Sequence, residues 1–390
     1  MKTYLYYIMS FLVILCLSCP VSLSADERAV PDKPDTIRIK ITFNNETIHG
    51  LYNVIDVRTD VEKTHDQNEG RLKGEALVFF TGHAQRPADA YKFANRLAML
   101  SRSGVVIVPV CDTPYGKNKA WRGDRGKDVI LMEMVRYILA AKDIAVRDYT
   151  PLTAMDVIIR GKIKVSGNPF CQSIETGLSA VGWSHGCILS RRFAHAYPDT
   201  VTGMAQMCPA GYEHWGSPRM LTNFAWESLG ISTLGFRGHF MDVVVAGWGI
   251  TKGITGDFCR SIPLAIVHLQ PSKMCRTCRD ISECTRYCDD TILPINKIDN
   301  IIVIFGQDDS CMDAGEQAAI NDIKEPTPTE IKAFWERFYP SALVSNAGLT
   351  FRILPGSHLA PITHNELYAR TVLEGLEGTK TSEDQGISGK

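Results

Sequence analysis

The sequence has almost no net charge, no internal repeat, and no long apolar run after its first seventeen residues. Its 42 lysine and arginine residues balance 43 aspartate and glutamate residues, which leaves a formal net charge of −1. A protein that binds nucleic acid or an anionic membrane surface needs a basic excess, so neither partner is expected. The absence of a second apolar run long enough to cross a bilayer also predicts no stable membrane span.

The first residues are typical of an export signal. Lys2 precedes an apolar stretch that ends at Leu17, and small residues follow at Ser22 and Ser24. This order of charge, apolar run and small residues predicts a signal peptide over residues 1–24 and a secreted or periplasmic protein. The alternative is an uncleaved membrane anchor, for which the apolar stretch is short.

The sequence contains twelve cysteines, and their interpretation depends on the compartment. Four of them form a cluster: Cys275, Cys278, Cys284 and Cys288. Because disulfides persist in an oxidising compartment, we expect one or two disulfides that brace this segment. A zinc site with four thiolate ligands is the first alternative, since four ligands suit tetrahedral coordination, and free thiols are the second.

Short apolar segments alternate with segments of helical periodicity along most of the chain. Residues 36–57 alternate apolar and polar side chains, as half-buried antiparallel strands do. Further strands are predicted at residues 76–80, 105–110, 178–182, 204–207, 301–305 and 350–354, and helices at residues 88–100, 127–141, 188–196 and 330–338. The alternation predicts an α/β fold with a mainly parallel sheet, helices on both faces and an antiparallel edge.

The alternation is interrupted over residues 211–296, where aromatic residues are frequent but no sheet pattern appears. Structureless loops of that length are rare inside a compact domain. We therefore expect a mostly helical cap at residues 211–296, inserted after the sixth strand and containing the cysteine cluster. Residues 26–210 and 297–378 then form the core. The polar, glycine-containing residues 379–390 are expected to be a disordered tail.

The most informative motif is Gly182-Trp183-Ser184-His185-Gly186, which lies between a predicted strand and a predicted helix. The two glycines permit a sharp turn and close packing of the helix on the strand. A serine at the apex of such a turn holds its hydroxyl above the edge of the sheet, where it can attack a carbonyl. Ser184 is therefore the candidate nucleophile.

A serine nucleophile needs a base to accept its proton and an acid to orient that base. One predicted strand is followed by Asp308 and Asp309, and the last predicted strand is followed by His358. Ligands bind at the carboxyl ends of the strands in open α/β sheets, so these side chains are expected near the serine. The predicted order is Ser184, an aspartate and then His358. His358 is preferred to the alternative histidine, His364, because His364 lies at an apparent helix start and not at a strand end.

With this order of residues, the sequence resembles the α/β-hydrolase superfamily. The resemblance rests on three segments: the serine motif, Gly306-Gln307-Asp308-Asp309 and Ser357-His358. It covers residues 37–376 apart from the cap. In this family the acid is usually the last residue of a Gly-x-x-Asp pattern, which implies Asp309, with Asp308 as the first alternative and Asp313 as the second. The resemblance implies the α/β-hydrolase fold and a serine hydrolase without a cofactor.

The negative charge of a tetrahedral intermediate needs backbone N–H donors aimed at it, which form an oxyanion hole. In the superfamily one donor is the residue after the nucleophile, which implies His185, and the other lies on the loop after an early strand. On that loop the sequence reads Thr81-Gly82-His83-Ala84, with threonine where the family usually has histidine. His83 is the predicted second donor, and Ala84 is the alternative. His185 and His83 would act through their backbone amides, so their rings are expected to be structural.

Together these residues predict an exported serine hydrolase that cleaves a carboxylic ester, with a small-molecule or lipid-like ester as substrate. The aromatic and apolar composition of the predicted cap favours a hydrophobic group on that ester. A peptidase or aminopeptidase of the same fold is the nearest alternative, and a catalytically inactive binding protein is an alternative of another class. No metal site is predicted, because Glu213 and His214 lack further spaced ligands. Cys187, one residue into the helix after the serine motif, is expected to be a buried packing residue.

Overall fold

The computed structural model describes residues 28–29, 35–43, 46–82, 87–109, 126–149, 156–159, 163–166, 174–213, 215–216, 218–219, 222–223, 290, 293–309 and 311–378. Several predictions lie outside these residues: the export signal at 1–24, most of the cap at 211–296, the cysteine cluster, the tail at 379–390, and His83, Ala84 and His214. These remain predictions, and so do the domain boundaries.

The chain begins with an antiparallel strand pair and then alternates strands with helices. The described residues form the strands β1 (Asp35–Phe43), β2 (Glu46–Asp56), β3 (Ala76–Phe80), β4 (Val105–Pro109), β5 (Ile144–Val146), β6 (Asp156–Ile159), β7 (Ile163–Ser166), β8 (Ile174–Thr176), β9 (Leu178–Trp183), β10 (Val201–Met207), β11 (Asn300–Gly306) and β12 (Gly348–Leu354). They form the helices α1 (Asp60–Glu69), α2 (Pro87–Leu100), α3 (Gly126–Ala140), α4 (His185–Ala196), α5 (Ala314–Ala318), α6 (Pro328–Phe338), α7 (Pro340–Val344), α8 (Ala360–Thr363) and α9 (Asn365–Leu376). Within this part of the chain, no helix combines the length and the apolar character that a membrane crossing needs.

Ten of these strands form one sheet in the order β12-β11-β10-β9-β3-β4-β2-β1-β6-β7. The strands from β12 to β4 pair parallel with their neighbours. The strands β2, β1, β6 and β7 pair antiparallel at one edge. The predicted parallel sheet with an antiparallel edge is therefore confirmed.

Helices cover both faces of this sheet. Adjacent residues of β3 point to opposite faces, as the pleat of a strand requires. Phe80 packs on the face covered by α3, α4 and α6, where it contacts Phe193 of α4. Phe79 packs on the face covered by α2 and α9, together with Phe93 and Tyr368. These five side chains are at most 1% exposed, and each stabilises the fold by roughly 1.5–3 kcal/mol through burial.

Two of the helices begin with a capping box. Thr59 precedes α1 and Thr327 precedes α6, and each threonine side chain accepts from the backbone of a glutamate three residues later. The glutamates, Glu62 and Glu330, accept in return from the threonine amides. Such reciprocal capping satisfies two amides that lack helical partners, and losing the cap costs about 1 kcal/mol. The starts of α1 and α6 are thus set by local sequence.

The strands and helices that build the parallel sheet lie close to the predicted ones. The prediction for β3 matches both of its ends, and the predicted helix after Ser184 begins three residues earlier, at His185. The pattern of the sequence does not predict β5 to β8, because three or four residues are too few to show alternation. The strand before the predicted cap, β10, is consequently the tenth in chain order and not the sixth.

Candidate active site

Ser184 occupies a sharp turn between β9, which ends at Trp183, and α4, which begins at His185. Its φ of 55° and ψ of −123° lie where residues with a side chain rarely occur, at a cost of about 1–3 kcal/mol. Hydrogen bonds hold this backbone: the Ser184 amide donates to the Met207 carbonyl at 3.0 Å, and its carbonyl accepts from the Cys187 amide at 2.9 Å. The turn lifts the serine side chain above the carboxyl ends of the strands.

The two glycines of the motif are required by close packing. A Cβ atom at Gly182 would lie 2.6 Å from the Cα atom of Cys187 in α4. A Cβ atom at Gly186 would overlap the backbone carbonyl of Phe80 at the end of β3. Both contacts would be far closer than van der Waals contact, so only glycine lets α4 start directly against β9 and β3.

His358 lies on the loop after β12, at the same edge of the sheet as Ser184. The loop turns at Gly356, whose φ of 114° favours glycine. The Nε2 atom of His358 lies 2.8 Å from Oγ of Ser184, and its Nδ1 atom lies 2.8 Å from Oδ2 of Asp309. When Nδ1 donates to the carboxylate, Nε2 of the neutral ring is left to accept the serine proton.

Asp309 follows β11 and is only 4% exposed. Its Oδ2 atom faces His358, and its Oδ1 atom accepts from the Met312 amide at 2.8 Å. Both carboxylate oxygens therefore have a donor, which offsets the cost of burying the charge. The structure thus brings the three predicted side chains, Ser184, Asp309 and His358, into one hydrogen-bonded chain.

The alternative residues of the sequence analysis make other contacts. Asp308 is half-buried, and its backbone amide donates to the Gly356 carbonyl at 3.0 Å. The side chain of Asp313 caps the start of α5. The Nδ1 atom of His364 lies 2.9 Å from the Thr363 hydroxyl, between α8 and α9. Asp309 and His358 are therefore the pair that the fold brings to Ser184.

The first predicted oxyanion donor, His185, is the first residue of α4. The first amides of a helix lack helical acceptors, and the positive end of the helix dipole favours an anion there. Thr81 and Gly82 are buried after β3, and the Thr81 carbonyl lies against the start of α4. The loop predicted to supply the second donor thus begins beside α4. His83 and Ala84 are outside the described residues, so the second donor stays a prediction.

The ring of His185 is buried beneath the start of α4. Burial and, as a smaller effect, the positive charge of Arg192 together lower the pKa of His185 to about 4. The ring is therefore neutral at pH 7, which fits a packing role.

The neutral ring predicts a loss of stability in acid. Since the ordinary pKa of 6.5 exceeds the folded value of about 4, the unfolded chain takes up the proton first. The stabilising effect is complete above pH 6.5 and is lost as the pH falls toward 4. In His185→Gln, the decrease in the free energy of unfolding between pH 7 and pH 4 should be smaller by about 3 kcal/mol. Urea denaturation at a series of pH values measures this decrease.

The matched control for this prediction is His65→Gln, because His65 is exposed on α1. This variant should keep the pH dependence of the unmodified protein. An unchanged pH dependence in His185→Gln would contradict the assignment of a depressed pKa to the buried ring.

A buried thiol lies beside Asp309 and His358. The Sγ atom of Cys208, which follows β10, lies within 4.8 Å of a carboxylate oxygen of Asp309 and a ring nitrogen of His358. Thiolate, carboxylate and imidazole are all metal ligands. Burial and the charge of Asp309, however, raise the pKa of the Cys208 thiol well above its ordinary value, and a protonated thiol is a poor ligand. In the structure, Asp309 and His358 form the hydrogen-bonded pair that faces Ser184.

Two other residues considered in the sequence analysis are engaged in packing or pairing. Cys187 is buried in α4, as predicted, and its Sγ atom lies 3.5 Å from the Met207 carbonyl oxygen. Glu213, at the start of the predicted cap, forms an ion pair with Arg337 of α6. Neither of these two contacts involves the side chains of Ser184, Asp309 or His358.

Sequence reasoning did not identify the role of the Trp183 side chain. Its indole Nε1 donates to the backbone carbonyl of His358 at 3.0 Å. The only sign of this role in the sequence is the position of Trp183 inside the serine motif, because the acceptor, the His358 carbonyl, lies 175 residues further along the chain. Such a contact becomes visible only in the folded structure.

The sequence has no significant match to a protein-family model or to a curated protein. Among solved structures, a thermophilic esterase from Thermogutta terrifontis has 14% identity and a TM-score of 0.43, over 88% of this chain and 99% of that one. A soluble variant of monoglyceride lipase from Saccharomyces cerevisiae has 13% identity and a TM-score of 0.45, over 93% and 99%. MGS-M2, an α/β hydrolase enzyme from a Medee basin deep-sea metagenome library, has 12% identity and a TM-score of 0.47, over 88% and 98%.

The architecture of this chain carries the assignment by itself. The sheet is mainly parallel with an antiparallel edge, and helices cover both of its faces. A serine sits on a strained turn between a strand and a helix, and an aspartate and a histidine follow in chain order at the ends of later strands. These features define the α/β-hydrolase fold. The chain therefore has the α/β-hydrolase fold.

Proposed function

We propose that the protein is an exported serine hydrolase that cleaves carboxylic esters by acyl transfer. The observation that carries this proposal is the hydrogen-bonded chain from Ser184 through His358 to Asp309, with a distance of 2.8 Å at each step. A nucleophile, a base and an acid in this arrangement activate a serine hydroxyl for attack on an acyl carbonyl.

In the first half of the reaction, Oγ of Ser184 attacks the ester carbonyl carbon while its proton passes to Nε2 of His358. Asp309 stabilises the imidazolium that forms. The tetrahedral intermediate collapses, and the alcohol leaves with the proton from His358. Water then attacks the acyl group on Ser184, and His358 accepts a proton from the water and returns it to the serine as the carboxylic acid leaves.

The intermediate carries its negative charge on the former carbonyl oxygen. We assign the backbone amides of His185 and His83 as the donors that receive this oxygen. The position of His185 at the start of α4 supports the first assignment, because the helix dipole adds to the hydrogen bond. Each such donor lowers the barrier by about 3 kcal/mol.

Esters are favoured over peptides for two reasons. The predicted cap is rich in aromatic residues, including Trp226 and Trp248, which suit a hydrophobic acyl group. A peptidase that trims chain ends needs a charged side chain for the peptide terminus. Of the two candidates in the predicted cap, Glu213 is already paired with Arg337, and Glu227 lies outside the described residues. Neutral, hydrophobic esters therefore fit the site better than peptide termini.

Export is proposed from the sequence of the first residues. Lys2, the apolar stretch up to Leu17 and the small residues near Ser24 have the order of a cleavable signal. The mature enzyme would then act in a secreted or periplasmic location.

A substrate series tests the proposed reaction. Purified protein should hydrolyse p-nitrophenyl esters, with kcat/KM rising as the acyl chain lengthens, and should hydrolyse aminoacyl p-nitroanilides much more slowly. It should also react with a fluorophosphonate probe, which labels activated serines. A preference for the anilides would contradict the esterase and support a peptidase. A folded protein without labelling or turnover would support an inactive binding protein.

A further inference from the structure

The loop that carries His358 is held by groups from the ends of three neighbouring strands. Three successive carbonyl oxygens of the loop each accept a hydrogen bond. The Gly356 carbonyl accepts from the Asp308 amide at 3.0 Å, and the Ser357 carbonyl accepts from the Cys208 thiol at an S–O distance of 3.9 Å. The His358 carbonyl accepts from the Trp183 indole at 3.0 Å. The strands concerned are β11, β10 and β9. The loop is therefore anchored across the sheet and not only through β12, which precedes it.

Of these three donors, Trp183 is the one linked to both the candidate nucleophile and the candidate base. It is the covalent neighbour of Ser184, and its acceptor is the carbonyl of His358 itself. One side chain thus joins the backbone beside the nucleophile to the backbone of the base. The bond closes a ring that also contains the contact of 2.8 Å between Ser184 Oγ and His358 Nε2.

The surroundings of Trp183 keep its indole in place. The side chain is fully buried, and it belongs to the same hydrophobic cluster as Ala360 of α8 and Tyr368 of α9. Its ring lies near the ring of His358, with 6.4 Å between the centroids. Because indole nitrogen is a donor only, the carbonyl of His358 satisfies it in a place that water does not reach. The same burial prevents Trp183 from touching a substrate.

We propose that Trp183 is a positioning residue that sets the distance between Ser184 and His358. This inference rests on the proposed hydrolase activity. Without the indole donor, the carbonyl of His358 loses this hydrogen bond. Of the three anchoring contacts, the loop then keeps the Asp308 amide at Gly356 and the weak Cys208 thiol contact at Ser357. The imidazole then samples positions in which Nε2 is out of line with the serine hydroxyl. Proton transfer slows in both halves of the reaction, while substrate binding is unaffected.

The test replaces the indole with rings that cannot donate. Trp183→Phe should lower kcat by about tenfold and leave KM within about twofold of its original value, since misplacing a base affects the chemical step. The rate of fluorophosphonate labelling should fall by the same factor. Incorporation of β-(3-benzothienyl)alanine in place of Trp183 keeps the size of the ring and lacks the N–H group. It should reproduce the loss of kcat even where Trp183→Phe folds poorly.

The matched control is Tyr149→Phe, which also removes one hydrogen bond from an aromatic side chain. The Tyr149 hydroxyl donates to Glu133 at 2.7 Å, and its ring packs on Tyr197, beyond the end of α4 that is remote from Ser184. This variant should lose stability and keep kcat.

Two outcomes separate the possible failures. If the benzothienyl protein keeps the kcat and labelling rate of the original, Trp183 is only a packing residue and the inference is overturned. If the unmodified protein neither hydrolyses esters nor reacts with the probe, the proposed function itself fails. A lower kcat with an unchanged KM, found in the Trp183 variants and absent from Tyr149→Phe, supports the positioning role.

Discussion

Replacing Ser184 with alanine is expected to lower kcat for ester hydrolysis by about 10⁶-fold, because the nucleophile is removed and no other group can form the acyl-enzyme. Turnover of p-nitrophenyl esters measures this loss, and labelling by the fluorophosphonate probe should disappear with it. The protein should stay folded, since the alanine fills the same turn and the backbone hydrogen bonds of residue 184 do not involve its side chain.

Ser190→Ala is the matched control for this prediction. Ser190 lies in α4, the helix that follows Ser184, is fully buried, and donates its hydroxyl to the Cys187 carbonyl at 2.9 Å. Its loss should reduce stability by about 1 kcal/mol and leave labelling intact. Labelling that persists in Ser184→Ala would show that the probe reacts elsewhere, and the catalytic assignment would then be wrong.

Replacing Asp309 with asparagine is expected to lower kcat by about 10⁴-fold, although the shape of the site is preserved. The reason lies in the second oxygen of the carboxylate. Oδ1 accepts from the Met312 amide at 2.8 Å, so the amide oxygen of an asparagine must take this position. Its NH₂ group then faces Nδ1 of His358, which must become an acceptor. The ring proton moves to Nε2, which can no longer take the proton of Ser184.

Asp308→Asn is the matched control, since it makes the same chemical change one residue away. The structure uses the backbone amide of Asp308, which the substitution leaves in place. This variant should keep kcat within a small factor. A large loss in Asp308→Asn together with a small one in Asp309→Asn would reverse the assignment of the acid.

The strands and helices of the parallel sheet could be predicted because each carries its own pattern. β3 is a run of five buried residues, Ala76–Phe80, and the pattern predicts both of its ends. α4 follows a glycine-containing turn and shows helical periodicity. Such patterns reflect local burial and backbone preference, which neighbouring residues determine.

The elements that were not predicted depend on partners distant in the chain. β5 and β8 have three residues each, and they exist as strands because they pair with one another across about thirty residues. α1 has a single buried residue, Asp66, so its sequence shows no apolar stripe. The two short strands take their structure from their pairing, and the local signal of α1 is the capping box of Thr59 and Glu62 at its start.

The candidate site likewise has one part that the sequence predicts and another that only the folded structure shows. The motif around Ser184 is local, and the acids and His358 could be placed at strand ends from the sequence. In the sequence, only the family resemblance favoured Asp309 over Asp308. In the structure, the choice follows from the hydrogen bond of 2.8 Å between Oδ2 of Asp309 and Nδ1 of His358. The bond from Trp183 to His358 had no sequence signature.

By itself, the sequence determined the order of the strands and helices of the parallel sheet, the sharp turn at Ser184 and the set of residues that could reach it. The physical reason is that burial patterns, glycine requirements and helix caps act over a few residues. The tertiary structure alone decided which atoms meet. Ser184 and His358 are 174 residues apart, and their separation of 2.8 Å depends on the register of every strand between them. Such a distance is a property of the packed sheet, which no single segment encodes.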